Sequence, residues 1–204
     1  PITSKAIIVA QSLKEVLGYG ELIPCGISVN KFLLPASYGN KPSPQIPGTL
    51  KILFPSDPAR TIKDYALFKA TCLILEKRGH KVQEVHLVNI DRESVQKLYW
   101  NCDIMLLTSV SEGSPTVVKE AIAAKLPFVS VRVGDVMDWA ELVDFGVVVP
   151  ERDPKTIAEA VCTLLAQIST RATLNNSQCI DLIDLESGAK KVRQVYEQVL
   201  EKKR

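Results

Sequence analysis

Two glutamates eight positions apart, Glu112 and Glu120, are the residues of this chain best suited to chemistry. They stand in Ser109-Val-Ser-Glu112-Gly113-Ser114-Pro115-Thr116-Val-Val-Lys-Glu120-Ala121. Ser114 as a helix cap and Pro115 at the first helical position predict a helix that opens here, leaving N–H groups from Thr116 onward free for an anion. Carboxylates accept from hydroxyls and amides donate to phosphate oxygens, so the segment suits a ligand carrying both. A plainer account fits the same residues: Glu120 is a solvated helix residue and Ser-Glu-Gly-Ser-Pro a capped loop. Upstream, Arg60 and Lys63 stand in a polar loop, where by themselves they read as surface charges.

The elements that must position these groups alternate. Residues 6–9 read as a short strand, 12–17 as a helix and 22–27 as another apolar stretch. A proline- and glycine-rich run, 35–48, marks a linker. Beyond it, strands at Leu50–Phe54, Val85–Val88, Ile104–Leu107, Phe128–Val131 and Val147–Val149 alternate with helices at 63–78, 92–101, Pro115–Lys125 and 135–143. Gly79 sits just past a helix end. Asp153-Pro154 opens a further helix, and a last helix at 186–203 carries Val192, Val195, Tyr196, Val199 and Leu200 on one side. Such alternation predicts an α/β fold, a Rossmann-like parallel sheet with helices on both faces, whose ligands bind at the carboxyl ends of its strands.

Composition narrows the class. Hydrophobic residues make up 46% of 204, enough for a real core, and the net charge of +2 argues against a nucleic-acid partner. No apolar run is long enough to span a membrane. The chain opens on Pro1 with no basic-then-apolar leader, so we expect a processed chain or a fragment without a visible secretory signal. Cys25, Cys72, Cys102, Cys162 and Cys179 are odd in number and contain no C-x-x-C, which reads as reduced, cytosolic, mostly buried thiols. His80 and His86 have no ligand-like neighbours, so no metal site is expected. The basic end, Lys202-Lys203-Arg204, reads first as a solvated helix end favourable to the helix dipole, and second as a peripheral contact with an anionic membrane face. Dinucleotide and P-loop glycine motifs are absent.

Glu112 and Glu120 fit the Glu-x7-Glu motif of the retaining GT-B glycosyltransferases of family four (group 1). Glu-Gly-Ser-Pro followed by Lys-Glu-Ala-Ile-Ala resembles that family's donor-site segment. So does its setting: Asp103-Ile-Met-Leu-Leu-Thr-Ser before it, Leu126-Pro127-Phe-Val-Ser and Val133-Gly134-Asp135-Val136 after it. Leu53-Phe-Pro-Ser-Asp-Pro-Ala-Arg60-Thr-Ile-Lys63 resembles the family's donor-phosphate segment. The resemblance covers roughly residues 5–200. It implies the C-terminal half of a GT-B fold: 1–34 the tail of an N-terminal acceptor domain, 35–48 the linker, 49–184 the nucleotide-sugar-binding domain, and 185–204 a helix packing back toward the acceptor domain.

The same resemblance implies the site. Arg60 and Lys63 neutralise the diphosphate of a nucleotide-diphosphate sugar, Glu112 holds the hydroxyls of the transferred sugar, and Glu120 holds the ribose. Gly113, Ser114, Pro115 and Thr116 line sugar and phosphates, and Asn89 and Ile90 sit near the base. Pro115 departs from the usual glycine and has no N–H to donate. Only one strand is expected between Arg78 and Asn89, where many members have two. The implied reaction is retaining hexosyl transfer to a sugar, lipid-linked or polysaccharide acceptor in the cytoplasm, at or near the inner membrane face, without cofactor. It needs an N-terminal acceptor domain in cis or in trans. A non-catalytic sugar-nucleotide-binding module is the main alternative, and a nucleotide-sugar epimerase a third.

Overall fold

The computed structural model describes residues 5–38, 48–171 and 173–201. Ile7–Ile8 (β1) and Glu21–Leu22 (β2) pair in parallel, joined through Gln11–Leu17 (α1). Val29–Phe32 (α2) follows. Most of the expected linker, 39–47, lies outside the described residues.

The remaining strands form one parallel sheet. They are Thr49–Phe54 (β3), Lys81–His86 (β4), Ile104–Leu107 (β5), Phe128–Val131 (β6) and Gly146–Val149 (β7), in the order β4-β3-β5-β6-β7. The intervening helices are Tyr65–Lys77 (α3), Arg92–Asn101 (α4), Thr116–Ala123 (α5) and Val136–Ala140 (α6); Pro154–Ser169 (α7), Ser177–Ile183 (α8) and Leu185–Glu201 (α9) complete the chain. The period of two along each strand splits the core between the faces. Ile104 and Leu106 of β5 pack with Ile52, Phe54, Phe68, Leu75, Val161 and Leu164, under α3 and α7. Met105 and Leu107 pack with Leu53, Tyr99, Val118, Ile122 and Trp139, under α4, α5 and α6.

Several expected boundaries move. The helix expected from 63 begins at Tyr65, because Asp64 adopts a left-handed φ of 49° and its carboxylate accepts from the N–H of Leu67; Thr61–Lys63 is a separate 3-10 turn. β4 starts at Lys81 rather than Val85. It is an edge strand, and its half-exposed Lys-Val-Gln-Glu alternation lacks the continuous apolar run of a buried strand. The helix expected over 135–143 shortens to α6. The sequence reading gave no separate helix at Ser177–Ile183, where α8 forms. At α7 the expectation holds: Asp153 accepts from the N–H of Thr156 at 2.8 Å, and Pro154 occupies the first position.

The tail is bound to the C-terminal helices by backbone. Ile27 N–H donates to the carbonyl of Ile183, and Leu185 N–H to that of Ile27, both at 2.8 Å. A side chain at Gly26 would place its Cβ 2.6 Å from Cα of Leu185, so only glycine permits this approach. Among the described residues no helix is long and apolar enough to cross a membrane.

Candidate functional site

The strand order fixes where ligand chemistry can occur. The chain adds β4 to one side of β3, then crosses through α4 to add β5 to the other side. The order reverses between β3 and β5, and open parallel sheets take ligands at such a reversal, outside the carboxyl ends of the strands. The loop leaving β3 carries Arg60 and Lys63; the loop leaving β5 carries Glu112 to Pro115.

These two loops are joined. Nζ of Lys63 donates to Oε1 of Glu112 at 2.5 Å, and the Ser109 hydroxyl donates to the same oxygen at 2.6 Å. The two charged side chains are only 13% and 15% exposed, so water and salt screen them less than a surface pair. Backbone and hydroxyl bonds fasten the loops beneath them. Val110 N–H donates to the Ile62 carbonyl at 2.8 Å, and the Thr108 hydroxyl donates to the carbonyls of Lys63 and Asp64. Arg152, just past β7, completes the clamp: its guanidinium donates to the carbonyls of Ser109 and Thr108 and to the carboxylate of Asp64. Sequence reasoning missed Arg152, because an arginine between Glu151 and the Asp153 cap has no spacing that points to partners 43, 44 and 88 residues away. Arg60 is exposed at the entrance to the 3-10 turn.

Ser114 is not the helix cap. α5 begins at Thr116 with Pro115 in the capping position, and no side chain caps it. The Ser114 hydroxyl instead donates to Oδ2 of Asp135 at 2.6 Å and accepts from Nζ of Lys119 at 2.5 Å. Lys119 is fully buried, also donates to the Cys25 carbonyl at 2.7 Å, and lies 5.0 Å over the Trp139 ring. Burial pulls its pKa below the usual lysine value, with the nearby Asp135 carboxylate opposing. The Cys25 carbonyl and the Ser114 hydroxyl satisfy donors of this buried ammonium that water cannot reach. The β6–α6 loop closes on the same segment: Asp135 N–H donates to the Gly113 carbonyl, and a Cβ at Gly134 would lie 2.2 Å from that oxygen. Pro115 is buried, while Gly113 and Thr116 are exposed.

Glu120 lies one helical face away, on the wall of a cavity of about 310 Å³. Gly26, Ser28, Lys31, Gln96 and Thr116 share that wall. Oε2 of Glu120 accepts from the fully buried Tyr99 hydroxyl at 2.6 Å. Burial raises the Glu120 pKa, and the Tyr99 hydrogen bond opposes that rise. Glu120 therefore does not project freely into a cleft; it is held. The cavity draws on Val95 and Gln96 of α4, whereas Asn89, with a left-handed φ of 50°, and Ile90 lie in the loop ahead of that helix. Among the described residues no cluster of His, Cys, Asp or Glu could hold a metal ion.

Residues 70–167 match the family model described as glycosyl transferases group 1. The matched span includes Asn89, Ile90, Glu112 and Glu120 and leaves Arg60 and Lys63 outside. None of the curated proteins matches the sequence. Among solved structures, sucrose-phosphate synthase from Thermosynechococcus elongatus superposes with a TM-score of 0.68 at 21% identity, over 95% of this chain and 58% of that one. A glycosyltransferase from Rickettsia africae gives 0.71 at 14% identity, over 96% and 63%. The Anabaena protein HepE, in complex with UDP and glucose, gives 0.68 at 14%, again over 96% and 63%. The fold is the mixed α/β arrangement of GT-B glycosyltransferases, and the chain spans 58% and 63% of the length of these structures.

Proposed function

We propose that this chain is the C-terminal, donor-binding half of a retaining group 1 glycosyltransferase of family four, which transfers a hexosyl group from a nucleotide-diphosphate sugar to a sugar, lipid-linked or polysaccharide acceptor. The family match over residues 70–167 and the shared fold support a glycosyltransferase. HepE, solved with UDP and with UDP-glucose, supports a nucleotide-sugar ligand. The observation that carries the reading is the Lys63–Glu112 pair at the carboxyl ends of β3 and β5, with Glu120 farther along α5.

In this reading a diphosphate entering the crevice competes with Glu112 for Lys63. The ammonium turns to the phosphate oxygens, with Arg60 as a second cation, and Glu112 is released to accept from hydroxyls of the sugar. As the glycosidic bond to the diphosphate breaks, negative charge grows on the leaving oxygen, and Lys63 stabilises it more in the transition state than in the ground state. Glu120 takes the ribose. The positive charge comes from side chains, so donor binding needs no divalent metal.

The second wall of the active site comes from an N-terminal acceptor domain. Supporting this, β1 and β2 are a two-residue parallel pair, too small to stand as a sheet of their own. A groove of about 680 Å³ beside them is lined by Ile7, Val9, Ile23, Val192, Tyr196 and Leu200. The test is calorimetry with uridine, guanosine and adenosine diphosphates, with and without a chelator. One diphosphate should bind, unaffected by the chelator and weakened at least tenfold by Lys63→Ala. Sugar transfer should require the preceding domain. A diphosphate affinity indifferent to Lys63→Ala, or robust transfer by this chain alone, overturns the reading.

A further inference from the structure

Glu120 is a carboxylate that the fold has partly removed from water, and Tyr99 is the group that meets it. The phenol of Tyr99 is fully buried and donates to Oε2 at 2.6 Å, the length of a charge-assisted O–H···O⁻ bond. Its ring is fixed from the other side by Phe32 of α2, edge-on at 5.4 Å and 86°. The hydroxyl is a poor acid here: burial, then the Glu120 charge, lift its pKa well above the ordinary phenol value, so it stays a donor. One carboxylate oxygen is thus engaged from below, while the same residue forms part of the cavity wall with Thr116, Ser28 and Gln96.

We propose that Tyr99 is a positioning residue for the nucleoside subsite: by holding Oε2 it sets the plane of the Glu120 carboxylate, so that the remaining lone pairs meet both hydroxyls of a vicinal diol. The inference rests on the donor-site reading above and adds a specificity determinant to it. A carboxylate has about four lone-pair sites. Tyr99 takes one and leaves Oε1 and one site on Oε2, a spacing that fits two adjacent hydroxyls. Without the phenol, the side chain rotates about its last torsion, which is broad and weakly restrained. The site then keeps its charge but loses its preference for a diol over a single hydroxyl. Tyr99 touches no ligand in this arrangement, and it acts only through Glu120.

The experiment uses the nucleoside diphosphate that this chain binds best and its 2′-deoxy analogue. Calorimetry on the parent should give a ribo-over-deoxyribo preference of about tenfold. Tyr99→Phe keeps the ring against Phe32 and removes only the hydroxyl, and the preference should fall to about threefold or less. The same change made on a Glu120→Ala background should move the preference by less than twofold, since a residue acting through the Glu120 side chain has nothing left to act on. A structural role would lower both affinities together, in either background, along with the melting temperature. A preference unchanged in Tyr99→Phe, or an equal loss on both backgrounds, overturns the assignment and leaves the donor site standing. A parent that binds no nucleoside diphosphate overturns the donor site, and this inference with it.

Discussion

The two parts of this chain are finished to different degrees. In the five-stranded sheet, Ile52, Leu53, Ile104, Met105 and Leu106 are wholly buried, covered by helices on both faces. On α9, beside β1 and β2, several apolar residues face outward: Leu185 is 51% exposed, and Tyr196 and Leu200 are 63% exposed. Val195 is the one buried residue among those described in α9. In the proposed reading, the difference separates the wall this chain sets by itself from the one a preceding domain completes. The loops leaving β3 and β5 are clamped to one another, while α9 keeps an exposed apolar face.

The strongest test of how the parts depend on each other is Lys119, which bonds to the tail at Cys25 and to the β5–α5 loop at Ser114. Lys119→Met keeps the volume and removes the cation. Breaking a buried charged contact by deleting one partner costs about 3–5 kcal/mol, because Asp135 stays buried with less compensation. We expect that loss in urea denaturation, together with weaker diphosphate binding as the Ser114 segment loosens. A loss below about 1 kcal/mol would mean that tail and sheet hold together without the staple.

Gly134→Ala tests the crevice from the opposite side. The new Cβ would lie 2.2 Å from the Gly113 carbonyl, on a residue whose φ is 51°, so a backbone segment must move. We expect about 2–3 kcal/mol of destabilisation. Because the segment that moves carries Glu112, diphosphate affinity should fall by more than the fraction of chain unfolded explains. Unchanged affinity in the folded variant would separate the Gly113 loop from ligand binding.

How much of this was legible follows from what kind of contact fixes each feature. β5 and β6 match their expected bounds because both are short buried runs, apolar but for Ser130, and α4 matches 92–101, where Asp91 caps it by accepting from the N–H groups of Glu93 and Ser94. β4 was cut short because an edge strand has no such signature. In the site, the Glu112–Glu120 spacing was visible because both lie in one segment. The partners of these residues were not: Tyr99 stands 21 positions from Glu120, and Lys63 49 from Glu112, and only the sheet order brings them together. Lysine is a surface residue by default, and nothing local marks Lys119, whose amine is bonded to a carbonyl 94 positions away.

Glu120→Gln asks whether the crevice is organised for stability or for a ligand. Burial raises the Glu120 pKa, with Tyr99 opposing. A carboxyl whose folded pKa is raised favours the fold while protonated; that contribution is complete below the unfolded value and is lost as pH rises through the folded value. Ionised Glu120 therefore costs stability at neutral pH, and Gln removes the cost while still accepting from Tyr99. The variant should be at least as stable as the parent at pH 7. The difference should shrink as pH falls into the ordinary carboxylate range. Diphosphate affinity should drop about tenfold over the same comparison. A variant that loses stability at pH 7 would make Glu120 a structural residue.

The smallest effect is expected at the uncovered layer, and its size depends on what surrounds it. Leu200 is largely exposed on α9, so truncating it removes little buried surface, and Leu200→Ala in this chain should change stability by less than about 0.5 kcal/mol. The helix even gains slightly, since alanine is the better helix former. Leu53 is the internal standard: wholly buried in β3, its change to Ala should cost about 2–5 kcal/mol. In a longer protein where an α/β domain covers the groove beside Tyr196 and Leu200, the Leu200 side chain is taken from water. The same substitution should then cost about 1.5–3 kcal/mol. The measurement is urea denaturation of both variants, in this chain and with the preceding domain attached. If Leu200→Ala stays neutral when the domain is present, that domain packs elsewhere, and the apolar stripe of α9 does not belong to the wall opposite the crevice.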